Sequence, residues 1–94
     1  MKTVNQVIPR NDFKVYVYFN DGKIKLFDMS HLIGFGVFKK ISDVDVFIKT
    51  CTVLNHTLAW DLLGDGDTYN CLDIDPETIY LNGIDVEDPN INIA

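Results

Sequence analysis

The stretch Phe13–Asp28, FKVYVYFNDGKIKLFD, decides the fold class. Phe13, Val15, Val17 and Phe19 alternate with Lys14, Tyr16 and Tyr18. Successive side chains of a strand point to opposite faces, so this period of two spells a strand with one apolar side. Asn20-Asp21-Gly22-Lys23 follows, and Asp-Gly tolerates the positive φ that both positions of a two-residue hairpin turn require. Lys23 to Asp28 is then the returning strand. With Asp21 and Gly22 as the loop, Phe19 should face Ile24, Val17 should face Leu26 and Val15 should face Asp28. Those pairs form the expected core face. Tyr18 with Lys25, and Tyr16 with Phe27, form the other face, mixed aromatic and basic.

Outward from this hairpin the elements are short. Thr3–Ile8 reads as an edge strand that Pro9 ends, since proline has no N–H to donate. Ser30 can cap a brief helical turn through His31, Leu32 and Ile33, closed by Gly34. Phe35-Gly36-Val37-Phe38 reads as a connector that inserts aromatic side chains into the core. Ser42 is a good N-cap for a short helix, with Asp43 and Asp45 in the first turn where the helix dipole favours negative charge. Residues 50–54 and 57–61 form a second hairpin about Asn55-His56, with Val53 facing Leu58 and Cys51 facing Trp60. From Leu62 to Asn70 the periodicity stops, and Gly64, Asp65, Gly66, Asp67 and Asn70 are loop chemistry. Asp75-Pro76-Glu77 starts another short helix, with Asp75 as N-cap and Pro76 at its first position, ending at Asn82-Gly83. The sum is a small single α+β domain: two β-hairpins plus an edge strand, with two or three short helices. The domain is expected over residues 1–83, with 84–94 a C-terminal tail or weak edge strand.

Composition bounds the class. A chain of 94 residues is one domain by length, and 47% hydrophobic with 12% aromatic content supplies a core. No apolar run approaches the roughly 20 residues a membrane helix needs. The N-terminus lacks the apolar region of a signal peptide, so a cytoplasmic location without membrane contact is expected. Cys51 and Cys71 then read as two small, reduced, buried hydrophobes. Charge is uneven. The net charge is −6, and all eight basic residues lie at or before Lys49 against five acids. Nine acids and no base follow. Such asymmetry attracts a basic partner to one end of a molecule, although solubility alone is served by it too.

Catalytic constellations are missing. His31 and His56 lie in different segments, Ser30 and Ser42 are caps, and Cys51 faces the core, a poor place for a nucleophile. Gly34-Phe35-Gly36 does not follow the strand-to-helix pattern of a phosphate loop. Read as an EF-hand from Asp65, the sequence has Tyr69 at position 5, Asn70 at 6 and Pro76 at 12, and fails the template. Asp65, Asp67 and Asp73 would suit only a loose magnesium site. No cofactor, metal or catalytic residue is therefore assigned, and the reading argues against an enzyme. Lys14, Tyr16, Tyr18, Lys23 and Lys25 are candidates for an exposed face, and aromatics interleaved with bases can stack nucleotides. The negative net charge speaks against nucleic acid. Asp65 and Asp67 are candidates for contact with a basic protein.

The order of these pieces resembles the bacterial domain-of-unknown-function family 2442. The matching positions are Phe19, Gly22 and Asp28; Gly36, Phe38, Ile41, Asp43 and Phe47; Trp60; and Asp73, Pro76, Glu77, Ile79 and Tyr80. The resemblance runs from about Val4 to Tyr80, with a longer loop between Trp60 and Asp73 than the family pattern. It implies a small mixed fold and no established activity. Some members are fused to a helix-turn-helix domain, and others are encoded beside small proteins in toxin–antitoxin-like pairs. The expectation is a non-enzymatic protein-interaction or regulatory module, antitoxin-like, that binds a small basic protein or a second copy of itself. A nucleic-acid-associated regulator using the hairpin face is the alternative, and a divalent-metal-dependent enzyme ranks below it.

Overall fold

The computed structural model describes residues 1–90. Two antiparallel sheets and a few short helices make a small α+β domain. The first sheet runs β1 (Val4–Pro9), β2 (Lys14–Phe19), β3 (Ile24–Asp28) and, at the far edge, β7 (Ile84–Asp85). The second runs β4 (Cys51–Leu54), β5 (Thr57–Trp60) and β6 (Leu72–Asp73). The two meet where β1 lies against β4 and β5, and the Val4 N–H donates to the His56 carbonyl at 2.8 Å.

The register of the first hairpin differs from the expectation by one residue. Tyr18 pairs with Ile24, Val17 with Lys25, Tyr16 with Leu26 and Val15 with Phe27. The loop is Asn20-Asp21-Gly22, closed by Phe19 N–H to Lys23 O at 2.9 Å, with Gly22 at φ 88°. This is the three-residue hairpin, in which only the last loop residue needs the left-handed conformation. The β1–β2 connection repeats it. Asn11-Asp12-Phe13 is closed by Arg10 N–H to Lys14 O at 2.8 Å, and Phe13 takes φ 62°. In each loop the aspartate accepts the N–H of the lysine two residues on, Asp12 from Lys14 at 3.3 Å and Asp21 from Lys23 at 2.9 Å. Phe13 therefore belongs to a loop rather than to β2. A bulky residue pays about 1 kcal/mol or more in this conformation. Its ring is held edge-on to Phe47 at 5.1 Å between centroids.

A slip of one residue exchanges the faces of a strand. Val15, Val17 and Phe19 stay in the core, but their companions are Lys25, Phe27 and Met29. Ile24, Leu26 and Asp28 move to the outer face, where they are half-buried. The physical reason lies in the pairing. The expected register sets Asp28 among the core residues. The observed one sets Lys25 there, whose long stem can pack while its ammonium reaches water or a partner.

The second hairpin has the expected register, Cys51 with Trp60 and Val53 with Leu58. Asn55 and His56 both take positive φ, 53° and 61°, as a two-residue turn requires. β6 was not legible. It adds two residues to β5, and the Thr57 hydroxyl donates to the Ile74 carbonyl beside it.

The helices are one turn or two long. A 3-10 helix spans Gly36–Ile41; it buries Ile41 and half-buries Phe38, whereas Phe35 and Val37 are exposed, so the expected aromatic insertion is made by Phe38 alone. Helix α1 (Val44–Thr50) is capped by Asp43, not Ser42: the Asp43 carboxylate accepts Asp45 and Val46 N–H. The Ser42 hydroxyl instead donates to Lys39 O at 2.7 Å, closing the 3-10 helix. Ser30 likewise does not cap. Asp28 accepts the Ser30 N–H at 2.8 Å, and the chain from Ser30 to Gly34 is a turn rather than a helix. Helix α2 (Pro76–Asn82) starts as expected, with Asp75 accepting Glu77 N–H at 2.9 Å and Pro76 in first position. The core gathers Trp60, Phe47, Met29, Ile41, Leu58, Ile79, Val15 and Val17, all fully buried.

Candidate functional site

The outer face of the first sheet is built by register. Ile8 pairs with Tyr16, Tyr16 with Leu26, and Leu26 with Ile84, so one apolar row crosses all four strands. Gln6, Tyr18 and Ile24 form the next row. Ile8, Tyr16, Tyr18, Ile24 and Leu26 are half-buried but lie outside the hydrophobic core, and Ile84 is exposed. Polar groups edge this surface. Arg10 donates to the Tyr16 hydroxyl at 3.3 Å and pairs with Asp12 at 2.6 Å. The Tyr18 hydroxyl donates to Asp88 at 2.7 Å and accepts from the Asn90 amide at 3.3 Å. Burial and the Asp88 carboxylate push the Tyr18 phenol up to about 12. The chain after β7 thus comes back over Tyr18; residues 91–94 of the expected tail lie outside the described residues.

The candidate residues divide. Lys14, Tyr16 and Tyr18 share the outer face, and Lys23 stands exposed in the Asn20–Lys23 turn. Lys25, expected beside Tyr18, is on the opposite side and only 8% exposed, because the three-residue loop turned β3 over. Its ammonium pairs with Asp85 at 2.7 Å and lies 4.7 Å from the centre of the Tyr80 ring. That bond holds the Asp85 carboxyl below the usual range. Lys2 lies 3.9 Å from the same ring. The Tyr80 hydroxyl donates to Asp21 at 2.6 Å, and the ring meets Phe19 edge-on at 5.0 Å. Hydrogen bonds from Tyr80 and from the Lys23 N–H bring the Asp21 carboxyl down to about 2. Sequence reading missed this clasp between the first hairpin loop and α2.

Asp65 and Asp67 lie far along the chain from the hairpin and shape their own loop. Asp61 accepts Gly64 and Gly66 N–H, Asp65 accepts Asp67 N–H at 3.0 Å, and Asp67 accepts Tyr69 N–H at 2.9 Å. These are self-bonded turns in which carboxylates mimic backbone acceptors. The loop is tied to the second sheet by the Asn55 amide donating to Thr68 O at 3.0 Å. Among the described residues no group of three or more His, Cys, Asp or Glu is placed to hold a metal ion. Both cysteines are free, and burial pushes the Cys51 thiol up to about 12. His31 is exposed on the turn after β3, and His56 sits in the β4–β5 turn. Among the described residues no helix is long and apolar enough to cross a membrane.

The fold and these surfaces define a class: a small two-sheet α+β domain whose first sheet carries a row of apolar side chains on its outer face. The family model described as protein of unknown function (DUF2442) matches residues 4–85, and the chain belongs to that family. No curated protein and no solved structure matches it. The positions that carried the resemblance are mostly structural. Phe47, Trp60 and Ile79 are fully buried, Asp43 caps α1, and Gly22 makes the left-handed loop position. Tyr80 closes α2 onto the loop that contains Asp21 and Gly22.

Proposed function

We propose that this chain is a non-enzymatic protein-interaction or regulatory module, antitoxin-like, that docks a small basic protein on the outer face of its first sheet. The observation that carries this reading is the apolar row Ile8, Tyr16, Leu26 and Ile84, continuous across four strands and outside the core. An antiparallel sheet commonly turns one face to water, and that face is then polar. A row of large apolar side chains there is surface to be covered by a partner. Charge favours a basic one: the net charge is −6, and Glu87 and Asp88 lie in the segment that borders the row. The nucleic-acid alternative is less well supported, because Lys25 is turned to the other side and Asp88 brings a carboxylate to Tyr18.

The test is co-expression with the product of the adjacent gene, followed by size exclusion with light scattering. A stoichiometric complex is expected, lost in Leu26→Glu while the melting midpoint of the free domain stays close to wild type. A homodimer lost in the same variant would keep the surface but replace the basic partner by a second copy. A chain that stays monomeric and forms no complex overturns the reading.

A further inference from the structure

A groove of about 440 Å³ opens between the end of β3 and α2. It is lined by Phe27, Asp28, His31, Leu32, Thr78 and Asn82. Phe27 is buried and Leu32 half-buried, so they form its apolar floor, whereas His31, Thr78 and Asn82 are exposed at the rim. The volume falls within the range of small-ligand sites, about 300–1,000 Å³.

The polar side chains of the groove include one carboxylate, Asp28, and the oxygens of Thr78 and Asn82, which can accept. Asp28 is held below the usual carboxylate range by its bonds from Ser30, and is therefore ionised at neutral pH. Lys14 lies opposite it across the strands, but the two form no ion pair among the described residues. Asn82 donates one amide N–H to Thr78 O at 2.8 Å, and its amide oxygen can accept. No lysine or arginine lines the groove. An apolar floor with a carboxylate and neutral acceptors above it suits a cation carried on an apolar stem: the stem gains by burial, and the charge finds the hydrogen bonds without which its desolvation is costly.

We propose that this groove binds an ammonium or guanidinium group on an aliphatic stem, with Asp28 taking the charge and Phe27 with Leu32 taking the stem. The groove opens at the end of β3 beyond Leu26, where β7 pairs only Lys25 and Leu26, so the outer-face Asp28 and the inner-face Phe27 both line it, and its test does not depend on the apolar row. Two sources carry this chemistry, a lysine or arginine side chain of a protein and a free polyamine.

The experiment is nitrogen–proton correlation NMR of the full chain. It is titrated with N-acetyl-arginine amide, N-acetyl-lysine amide, spermidine and, as the neutral counterpart, N-acetyl-norleucine amide. Shifts are expected at Asp28, His31, Thr78 and Asn82 for the cations only. Asp28→Asn keeps an acceptor for Ser30 and should weaken binding by about tenfold or more, the worth of a hydrogen bond to a charged group. Asn82→Ala, an exposed change, gives a second reading of the same groove. Tighter binding of the capped amino acids than of spermidine assigns the groove to a protein side chain, and the reverse assigns it to a polyamine; either supports the site. Three results would overturn it: no shift up to about 10 mM ligand, equal binding of the norleucine analogue, or undiminished binding by Asp28→Asn.

Discussion

Replacing Gly83 by alanine measures how closely α2 is seated on β3. A β-carbon at this position would stand 2.8 Å from the Ile79 carbonyl oxygen and 2.8 Å from the Lys25 β-carbon. Neither is the free end of a flexible chain: the Lys25 contact makes helix and strand move apart by about half an ångström, and the Ile79 contact, inside the C-cap of α2, makes the cap itself shift. The backbone itself raises no objection, since Gly83 has φ −73° and ψ 156°, open to any residue. Alanine gains about 0.4–1 kcal/mol by restricting the unfolded chain. Overpacking costs about 1–3 kcal/mol. The balance is a loss of about 1–2 kcal/mol. For a domain of this size that lowers the melting midpoint by about 5–15 °C. Gly34→Ala is the control, because nothing lies within 4 Å of its β-carbon and its φ is not in the left-handed region. Thermal melts followed by circular dichroism, with urea titrations at one temperature, read both. The Gly83 variant should fall and the Gly34 variant should match or exceed wild type. A Gly83→Ala protein that melts with wild type would refute the seating of α2 against Lys25, and with it the geometry of the groove beside it.

Four other outcomes follow from the same contacts. Asp75→Ala removes the acceptor of Glu77 N–H and should cost about 1 kcal/mol by urea unfolding, with the loss concentrated in α2 amide exchange. The indole N–H of Trp60 is buried without a partner among the described residues, so Trp60→Phe should cost less than the roughly 3–5 kcal/mol typical of large aromatic truncations. The Tyr18 phenol, raised to about 12 in the fold against its ordinary 10, contributes stability that is present below pH 10 and lost as pH rises toward 12. Asp88→Asn should lower its titration, followed by NMR of the ring, only part of the way, since burial remains. Cys51 should resist alkylation at pH 8 until the chain unfolds, and rapid native labelling of it would contradict its burial.

Much of the candidate surface was hidden in the sequence for one reason. Asp-Gly serves both as a two-residue loop and as the last two positions of a three-residue loop, and nothing local to Asn20–Lys23 separates them. A clue did exist at a distance. Asn11-Asp12-Phe13-Lys14 and Asn20-Asp21-Gly22-Lys23 are the same loop twice. Phenylalanine rules out a two-residue turn in the first copy more strongly than glycine does in the second. The caps were missed by one residue where serine and aspartate stand side by side, at Ser42-Asp43, because either side chain can accept the first free N–H. β6 has two residues and exists only because β5 offers it an edge.

Short-range patterns alone settle much of this chain. The alternation of β2, the Asn55-His56 hairpin with its register, the Asp75-Pro76 helix start and the self-bonded acidic loop all follow from residues within a few positions of one another. Steric and hydrogen-bonding preferences of that range are written in the sequence. The tertiary structure decided which face of β3 is inside, and therefore that Lys25 is a buried partner of Asp85 while Leu26 and Ile24 join Tyr16 and Tyr18 outside. In that choice Phe27 and Met29 join one core with Phe47, Trp60 and Ile79, and packing between distant segments cannot be read from either strand alone.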